Sequence, residues 1–414
     1  MTSRERILAA IEHREPDKVP VDLGSTPSSG ISAIAYNRLK AYLRLDPGPT
    51  RVYDVVQQLA EPDMELLDRF GIDVLDVGRT FNTADGDWRD TTLTDGSSAL
   101  YPQWFEPEPK TGGEWIARSA DGTPIAKMPA TGTFFDQTYF PYVDGYPASY
   151  ASLDEEMGKV LWAAFAVCPW DHIDDEGFWE TLRSNALLLR QTTDKALMIG
   201  VGCNLFEWGA FLRRMDNFLM DLVIDQSNVE RLLDALMERH LAFLEKVCVA
   251  VGDVVDICRF GDDLGMENGP LMSPESYRRL FKPRHQELCD YVKRNSSMHT
   301  YLHSCGCIHM LIPDLVDAGF EVLNPVQTTC REMEPQRLKK EFGREVTFWG
   351  GGCDTRTVLN TATPDEVKKH VTERLEIFSP GGGFVFNTVH NILPDVPPQN
   401  IVAMYETIDS FRSR

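Results

Sequence analysis

Short apolar segments alternate with helical stretches along most of the 414 residues, and this alternation constrains the fold more than any other feature. Eight of these segments are predicted to form β-strands, at residues 18–24, 72–78, 196–203, 254–260, 298–303, 320–324, 345–350 and 383–387. Helices are predicted at residues 33–46, 58–70, 153–164, 175–192, 216–250, 273–295, 307–318, 334–342 and 364–378. Because eight β-α units occur without a G-x-G-x-x-G fingerprint, the expected fold is α/β, a TIM-type (β/α)8 barrel rather than an open doubly wound sheet.

Residues 80–150 interrupt this alternation. Their β-prone segments are separated by Gly, Pro and turn pairs such as Asp121-Gly122, a pattern that predicts β-hairpins. We therefore expect one barrel domain over residues 1–414, with residues 80–150 inserted as a β-rich subdomain or lid. The aromatic side chains of the insertion are expected either to pack against each other or to wall a pocket; they are Trp88, Trp104, Trp115, Phe134, Phe135, Tyr139 and Tyr142.

Composition excludes several functional classes. The formal charge of -22, without a cluster of Lys and Arg, argues against a nucleic-acid partner, because a basic face is needed to neutralise phosphates. No apolar run is long enough for a membrane span, and the first residues lack the pattern of a signal peptide, so a cytoplasmic location is expected. Nine cysteines in such a chain are expected to be reduced thiols, free to bind a metal.

A candidate metal site lies in the Tyr-Leu-His-Ser-Cys-Gly motif at residues 301–306. Alternate side chains of a strand share a face, so His303 and Cys305 are expected to point the same way. With Cys353, from a later Gly-Gly-Gly-Cys-Asp stretch, they form a borderline-soft donor set that favours zinc. Three protein ligands leave one position open, as catalytic zinc sites do, whereas the alternative is that these cysteines only pack in the core.

The polar residues that follow the predicted strands favour the metal interpretation. His303 and Cys305 end one strand, Cys353 follows another, and His390 follows the last. All of them therefore map to the C-terminal end of the barrel, where such barrels carry their active sites. Asp262 and Asp263 follow the fourth strand, so we expect Asp262, Asp263 and His390 to line the pocket as catalytic residues without binding the metal.

These motifs make the chain similar to the uroporphyrinogen decarboxylase superfamily, and within it the chain resembles the zinc-dependent cobalamin methyltransferases. The resemblance rests on residues 4–10, 17–20, 262–265, 303–306, 350–354, 381–387 and 390–394. The decarboxylases themselves are the poorer match, because their arginine-rich N-terminal loop has no counterpart in residues 24–32. The methyltransferases of the family bind zinc through a His-x-Cys pair and a distant Cys, a pattern matched by His303, Cys305 and Cys353.

The resemblance implies an enzyme that moves a methyl group between a small molecule and the cobalt of a separate corrinoid protein. The cofactors would be Zn²⁺ and a cobalamin supplied by that partner. Two alternatives stay open, a metal-free decarboxylase of a related acid and a barrel that only binds a small molecule or a corrinoid protein.

Charge suggests which methyl group is moved. Two thiolates and a neutral His303 would cancel the charge of zinc, and a neutral Lewis acid suits the departing phenolate of a methoxylated aromatic compound. O-demethylation is therefore the preferred reaction, and methylation of a thiol from methylcobalamin is the alternative. An added carboxylate would favour the thiol reaction; Glu207 is the candidate fourth ligand, or else only a carboxylate at a helix N-terminus.

Overall fold

The computed structural model describes residues 1–46 and 48–412. The strands are Ile31–Ser32 (β1), Val52–Asp54 (β2), Leu59–Ala60 (β3), Val74–Asp76 (β4), Trp88–Thr92 (β5), Ser98–Pro102 (β6), Glu108–Pro109 (β7), Trp115–Arg118 (β8), Pro124–Met128 (β9), Asp136–Gln137 (β10), Ala196–Gly202 (β11), Ile257–Gly261 (β12), His299–His303 (β13), Val322–Asn324 (β14), Thr347–Trp349 (β15) and Phe384–Val385 (β16). The helices are Ser3–Ile11 (α1), Ala33–Leu43 (α2), Met64–Arg69 (α3), Leu153–Gly158 (α4), Leu161–Ala164 (α5), Phe178–Thr192 (α6), Phe206–Arg213 (α7), Met215–Ile224 (α8), Gln226–Val251 (α9), Pro274–Leu280 (α10), Lys282–Asn295 (α11), Ile312–Asp317 (α12), Pro335–Phe342 (α13), Pro364–Phe378 (α14) and Pro398–Arg412 (α15).

A curled parallel sheet of seven strands forms the centre of the molecule. Its order is β4-β11-β12-β13-β14-β15-β16, and every neighbouring pair is parallel. Helices follow the strands, as the predicted alternation requires. The sequence Thr-Pro-Asp-Glu at residues 363–366 predicts a capping box with proline at the first helical position, and α14 begins there with both capping hydrogen bonds between Thr363 and Glu366 formed. The α/β, TIM-type fold predicted from the sequence is confirmed.

The segment predicted as the first strand closes this sheet by a few hydrogen bonds. The backbone N–H of Phe386 donates to Pro20 O at 2.8 Å, and that of Asp22 donates to Phe386 O at 2.9 Å. On the other side of the segment, the N–H of Asp73 donates to Val21 O at 2.9 Å. Val21 therefore forms a parallel bridge to Phe386 rather than part of a regular strand, and it occupies the eighth position between β16 and β4.

Helix α1 covers the N-terminal end of the barrel. Its apolar side chains Ile7, Ala10 and Ile11 are buried together with inward-facing strand residues, among them Tyr301 and Trp349. The interior is therefore a packed core at this end, and the opposite, C-terminal end is the one left for a site.

Residues 80–150 contain antiparallel strands, β5 with β6 and the order β7-β8-β9-β10. Phe105, at the centre of this region, is buried and packs at right angles to Tyr101, Phe135 and Phe165. The insertion also contacts α7, since Gln137 Nε2 donates to a backbone carbonyl of that helix at 2.8 Å. Its role as a lid stays a prediction.

Several predicted helices are shorter or divided in the structure; residues 153–164 form α4 and α5, and residues 273–295 form α10 and α11. Residues 58–70 contain the short strand β3 before α3 begins, so the helix is shorter than predicted. Residues 216–250 form two helices, α8 and α9, which meet at Asp225. Among the described helices, none combines the length and apolar character needed to cross a membrane.

A buried ion cluster should hold the closed barrel together. Asp73 is 1% exposed and accepts hydrogen bonds from Arg6 Nη1 at 2.6 Å, Arg412 Nη2 at 2.8 Å and the backbone N–H of Val21 at 2.9 Å. Replacing Asp73 by Asn should lower the free energy of unfolding by about 3–5 kcal/mol, because two largely buried guanidinium groups lose their common charge partner. Urea unfolding measures the effect.

The control for this prediction is Asp216→Asn, which breaks an exposed pair with Arg214 and should leave stability unchanged. Equal stabilities of the Asp73 and Asp216 variants would show that the cluster does not stabilise the closure.

Candidate metal centre

Three side chains with metal-binding atoms meet at the C-terminal end of the barrel. One ligand atom each from His303, Cys305 and His390 lies within 4.8 Å of the others. Among residues 1–46 and 48–412, these are the metal-binding side chains that come together in a group of at least three. His303 ends β13, Cys305 lies in the loop after it, and His390 lies in the loop after β16. The rings of His303 and His390 pack edge to face with centroids 5.9 Å apart.

A hydrogen bond orients His303. Asn324, which pairs with His303 across β13 and β14, donates from Nδ2 to the carbonyl of Trp349 at 2.8 Å, so its Oδ1 faces His303 as an acceptor. His303 Nδ1 lies 2.7 Å from this Oδ1 and donates its proton there. The lone pair of Nε2 therefore points to Cys305 Sγ, which is 3.4 Å away. This is the orientation that ligating histidines use.

The loops after β12 and β13 touch through their backbones. A Cβ on Gly306 would lie 2.4 Å from the carbonyl carbon of Gly265, and Gly306 has a φ of +85°, so glycine is required at this crossing. The crossing places Asp263 Oδ1 2.8 Å from the backbone N–H of Cys305, which donates to it. The same oxygen is 3.6 Å from His303 Nε2, so Asp263 lies beside the group of three.

The carboxylate of Asp262 forms its hydrogen bonds with other residues of the protein. It is fully buried and accepts from the backbone N–H groups of Phe206 at 3.1 Å and Glu207 at 2.9 Å, at the start of α7. His285 Nε2 lies 3.1 Å from the same carboxylate. These contacts make Asp262 a residue that positions α7, and with it Glu207. The catalytic role predicted for Asp262 stays a prediction.

Glu207 lies close to the other acidic groups of the site. Burial raises the pKa of its carboxyl well above the ordinary value, and the neighbouring Asp263 and Asp262 raise it further. Asn204 Nδ2 donates to Glu207 Oε2. Its role as a fourth ligand stays a prediction.

Cys353 is not part of the group of three in the described structure. Its side chain is fully buried, and Cys353 Sγ lies 3.9 Å from the carbonyl of Asp354. Its backbone bridges to Thr388, two residues before His390. The sequence thus predicted His390 as a neighbour of the metal and Cys353 as a ligand, whereas the geometry brings His390 to His303 and Cys305.

The loop that carries His390 is held by a distant part of the chain. Ile392 N–H donates to Gly30 O at 2.9 Å, and Ser32 N–H donates to Ile392 O at 2.8 Å. Residues 30–32 thus fix the loop from the other end of the sequence.

The imidazoles of the group are neutral near pH 7. Burial lowers the pKa of His303 to about 4, and it also lowers the pKa of His390. Burial raises the pKa of the Cys305 thiol well above its ordinary value, and the charges of Asp263 and Glu207 act in the same direction. Neutral imidazole is the form that binds a metal, and a coordinating thiol loses its proton to the metal.

The spacing of the donors fits zinc. Typical Zn–N and Zn–S bonds at a tetrahedral angle place the two donor atoms about 3.6 Å apart. His303 Nε2 and Cys305 Sγ, at 3.4 Å, are close to that separation. Two nitrogens and one sulfur are also a donor set that zinc accepts, with one position left open.

Two residues at this end of the barrel were not singled out from the sequence. Asn324 is a buried polar residue at the end of the predicted strand 320–324. A polar residue at that position is the sequence signal that identifies it as a candidate site residue. Arg259 is a charged residue inside the apolar segment 254–260, and it lies in β12 next to the site.

Comparison with known proteins gives relatives of two kinds. Methylcobamide:CoM methyltransferase MtaA from Methanosarcina barkeri is 27% identical over 186 residues, which are 44% of this chain and 49% of the relative. Uroporphyrinogen decarboxylase from Magnetococcus marinus is 24% identical over 144 residues, 34% of this chain and 38% of the relative. The chain thus spans half or less of the length of these relatives.

A solved structure of a methyltransferase from Methanosarcina mazei matches the whole fold. The TM-score is 0.59 at 18% identity, with 99% of both chains covered. The profile of the uroporphyrinogen decarboxylase (URO-D) family matches residues 166–411, more than half of the chain and the part that carries His303, Cys305 and His390, the candidate metal-binding group. The chain therefore belongs to the uroporphyrinogen decarboxylase family.

Proposed function

We propose that this protein is a zinc-dependent methyltransferase that removes the methyl group of a methoxylated aromatic compound and passes it to the cobalt of a corrinoid protein. The observation that carries the proposal is the convergence of His303, Cys305 and His390 at the C-terminal end of the barrel, with ligand atoms within 4.8 Å of one another. Similarity to a methylcobamide:CoM methyltransferase supports the involvement of a corrinoid.

The proposed zinc ligands are His303, Cys305 and His390. One thiolate and two neutral imidazoles contribute a single negative charge, so the loaded site would carry a charge of +1 rather than zero. Zinc held by these three residues would supply a Lewis acid for the ether oxygen and for the departing phenolate. The preference for O-demethylation thus holds with the changed ligand set, because a positive site favours an anionic leaving group more than a neutral site does.

The chain's own residues orient the ligands and shape the pocket. Asn324 fixes the ring of His303, and Asp263 fixes the loop of Cys305 through its backbone N–H. The insertion packs on α7, whose first turn carries Glu207. That its aromatic side chains wall the substrate pocket is part of the proposal. The proposal leaves the open position to the ether oxygen; Glu207, the candidate fourth ligand, would take that position in the alternative thiol reaction.

The proposed transfer balances without a further reactant. The methyl–oxygen bond breaks and its electron pair stays on the phenolate oxygen, while the methyl group takes the electron pair of the reduced cobalt of the partner.

A metal-free decarboxylase is the second candidate, favoured by the similarity to uroporphyrinogen decarboxylase. Its activity would not depend on Cys305. Methylation of a thiol from methylcobalamin is the alternative within the methyltransferase class.

Metal analysis tests the ligand set. Protein purified with zinc under reducing conditions should contain about one zinc ion per chain, and replacement of His303, Cys305 or His390 by Ala should remove it, because each supplies a converging donor atom. Elemental analysis after dialysis measures the content. A zinc-free wild-type protein would contradict the proposal.

Cys353→Ala is the control variant for this metal analysis, since the family resemblance implies Cys353 as the third ligand. This variant should keep its zinc. Loss of zinc from Cys353→Ala, with zinc retained by His390→Ala, would reverse the assignment of the two residues.

Asn324 should set the zinc affinity through His303. Asn324→Ala should weaken zinc binding by about 10- to 100-fold, because the ring loses the acceptor that orients it. Asn324→Asp keeps an oxygen acceptor while losing the hydrogen bond to Trp349 O, so it should retain zinc although its fold is less stable. Competition with a zinc chelator measures both affinities. Equal zinc loss in the two variants would indicate a purely structural role.

Substrate panels test the reaction. Reduced cobalamin with methoxybenzoates should yield methylcobalamin in the presence of the wild-type protein, and Cys305→Ala should slow the reaction by more than about 100-fold, because the Lewis acid is lost. The cobalamin absorption spectrum follows the transfer.

A second panel of thiols with methylcobalamin should give no demethylation of the cobalamin. Transfer in the thiol panel alone would contradict the proposed substrate. Release of carbon dioxide from an acid substrate by both wild-type protein and Cys305→Ala would support the decarboxylase instead.

A further inference from the structure

Arg259 lies inside the barrel, below the metal-binding group. It belongs to β12, where Cys258 and Phe260 pack in the outer core and Ile257 belongs to the interior core, so alternation turns Arg259 inward as well. In the register of the sheet, Arg259 pairs with Tyr301 while Gly261 pairs with His303. Two strand residues, or about 7 Å, therefore separate the level of Arg259 from the level of His303.

The neighbouring strand leaves room for this side chain. Arg259 pairs with Gly200 on β11, and a Cβ at Gly200 would lie 3.7 Å from Arg259 Nη1. The side chain of Arg259 is only partly buried, so part of it can be reached from the interior space.

Within the described part of the chain, the guanidinium of Arg259 makes no hydrogen bond or ion pair, and its Nε is buried without a partner. Other arginines of the barrel are paired with buried carboxylates, such as Arg6 with Asp73 and Arg190 with Asp256. A cation without a partner in the interior is costly unless a ligand supplies the opposite charge.

Two tyrosine hydroxyls also lie within the electrostatic reach of Arg259. The hydroxyl of Tyr53 is buried without a partner in the residues that the structure covers, whereas that of Tyr301 lies near the hydroxyls of Thr26 and Ser28. Asp54 and Asp76 interact with Arg259 through their charge only, since each forms hydrogen bonds elsewhere, Asp54 with the backbone N–H of Gln57 at 2.9 Å and Asp76 with that of Gly78 at 3.0 Å. Arg259 also acts electrostatically on His303 and His390, so it lies within electrostatic reach of the metal-binding group.

We infer that Arg259 binds an anionic group of the substrate, a carboxylate, and that Tyr53 and Tyr301 offer it further hydrogen-bond donors. The inference rests on the proposed function, because the metal-binding group would receive the methoxy end of the same molecule. One aromatic ring spans the separation of the two levels, so the substrate class is a methoxylated aromatic carboxylate. Guanidinium groups match carboxylates in both charge and geometry.

Paired substrates test the role of Arg259. The wild-type protein loaded with zinc should bind 4-methoxybenzoate and discriminate against 4-methoxybenzamide, which has the same shape without the charge. Arg259→Gln should raise the Kd for the benzoate by about 10- to 100-fold and leave that for the benzamide unchanged, because only the charged hydrogen bonds are lost. Calorimetry measures binding without any need for methyl transfer.

Two control variants separate recognition from folding. Arg259→Lys keeps the charge without the planar fork, so it should lose less affinity for the benzoate than Arg259→Gln does. Arg337→Gln removes an exposed arginine that pairs with Glu341 on α13, and it should not change either Kd. Thermal unfolding of each variant verifies that it is folded.

The outcomes distinguish this inference from the proposed function. Charge-dependent binding that is lost in Arg259→Gln, without methyl transfer to cobalamin, would support the recognition role and contradict the proposed reaction. Methyl transfer with equal KM values for the benzoate and the benzamide would support the reaction and overturn the role of Arg259. Failure of wild-type protein to bind 4-methoxybenzoate, or equal loss of both ligands in Arg259→Gln, would also overturn it.

Discussion

The closure of the central sheet is the constraint on which the rest of the structure depends. Seven parallel strands curl until Val21 fills the space between Phe386 and Asp73, and the segment that does so makes backbone hydrogen bonds to both sides. Asp73 joins this closure to α1 and α15 through Arg6 and Arg412. Because the sheet closes, the loop after β16 comes next to the loop after β13, and residues 303 and 390 meet although 87 positions separate them. An open sheet would leave them apart.

Closure brings the loops together, and contacts between neighbouring loops then fix the positions of the donor atoms. The crossing of Gly265 and Gly306 allows the two backbones to touch, and Asp263 bridges them by accepting from Cys305. One strand further along, Asn324 holds both the ring of His303 and the carbonyl of Trp349. The donor atoms are thus fixed by hydrogen bonds from outside the group, a requirement for a site whose ligands must not move when substrate enters.

Much of this architecture could be predicted, because apolar periodicity depends on local sequence. The strand that ends at His303 and the capping box at Thr363 are examples, and both are confirmed. The bridge at Val21 is shorter than the strand predicted for residues 18–24, since its hydrogen bonds come from partners that periodicity cannot reveal. The place of His390 depends on Gly30 and Ser32, which clamp its loop from more than 350 residues away in sequence. No local pattern encodes such a contact, so Cys353 and His390 could not be ranked as ligands from the sequence.

The arrangement of charges gives the proposed substrate a direction. Arg259 lies about two strand residues deeper than His303, toward the end of the barrel that α1 covers, and Asp263 lies at the level of the metal-binding group. In the proposal, the carboxylate of the substrate is attracted to Arg259 and repelled by Asp263, so this end would enter first and the methoxy end would stay near the opening. A corrinoid ring is far larger than the space inside a barrel whose interior is filled by side chains such as Trp349. In the proposed reaction the cobalt of a partner would therefore approach from the C-terminal end, and Arg259 would hold the methyl group on the side where that approach is possible.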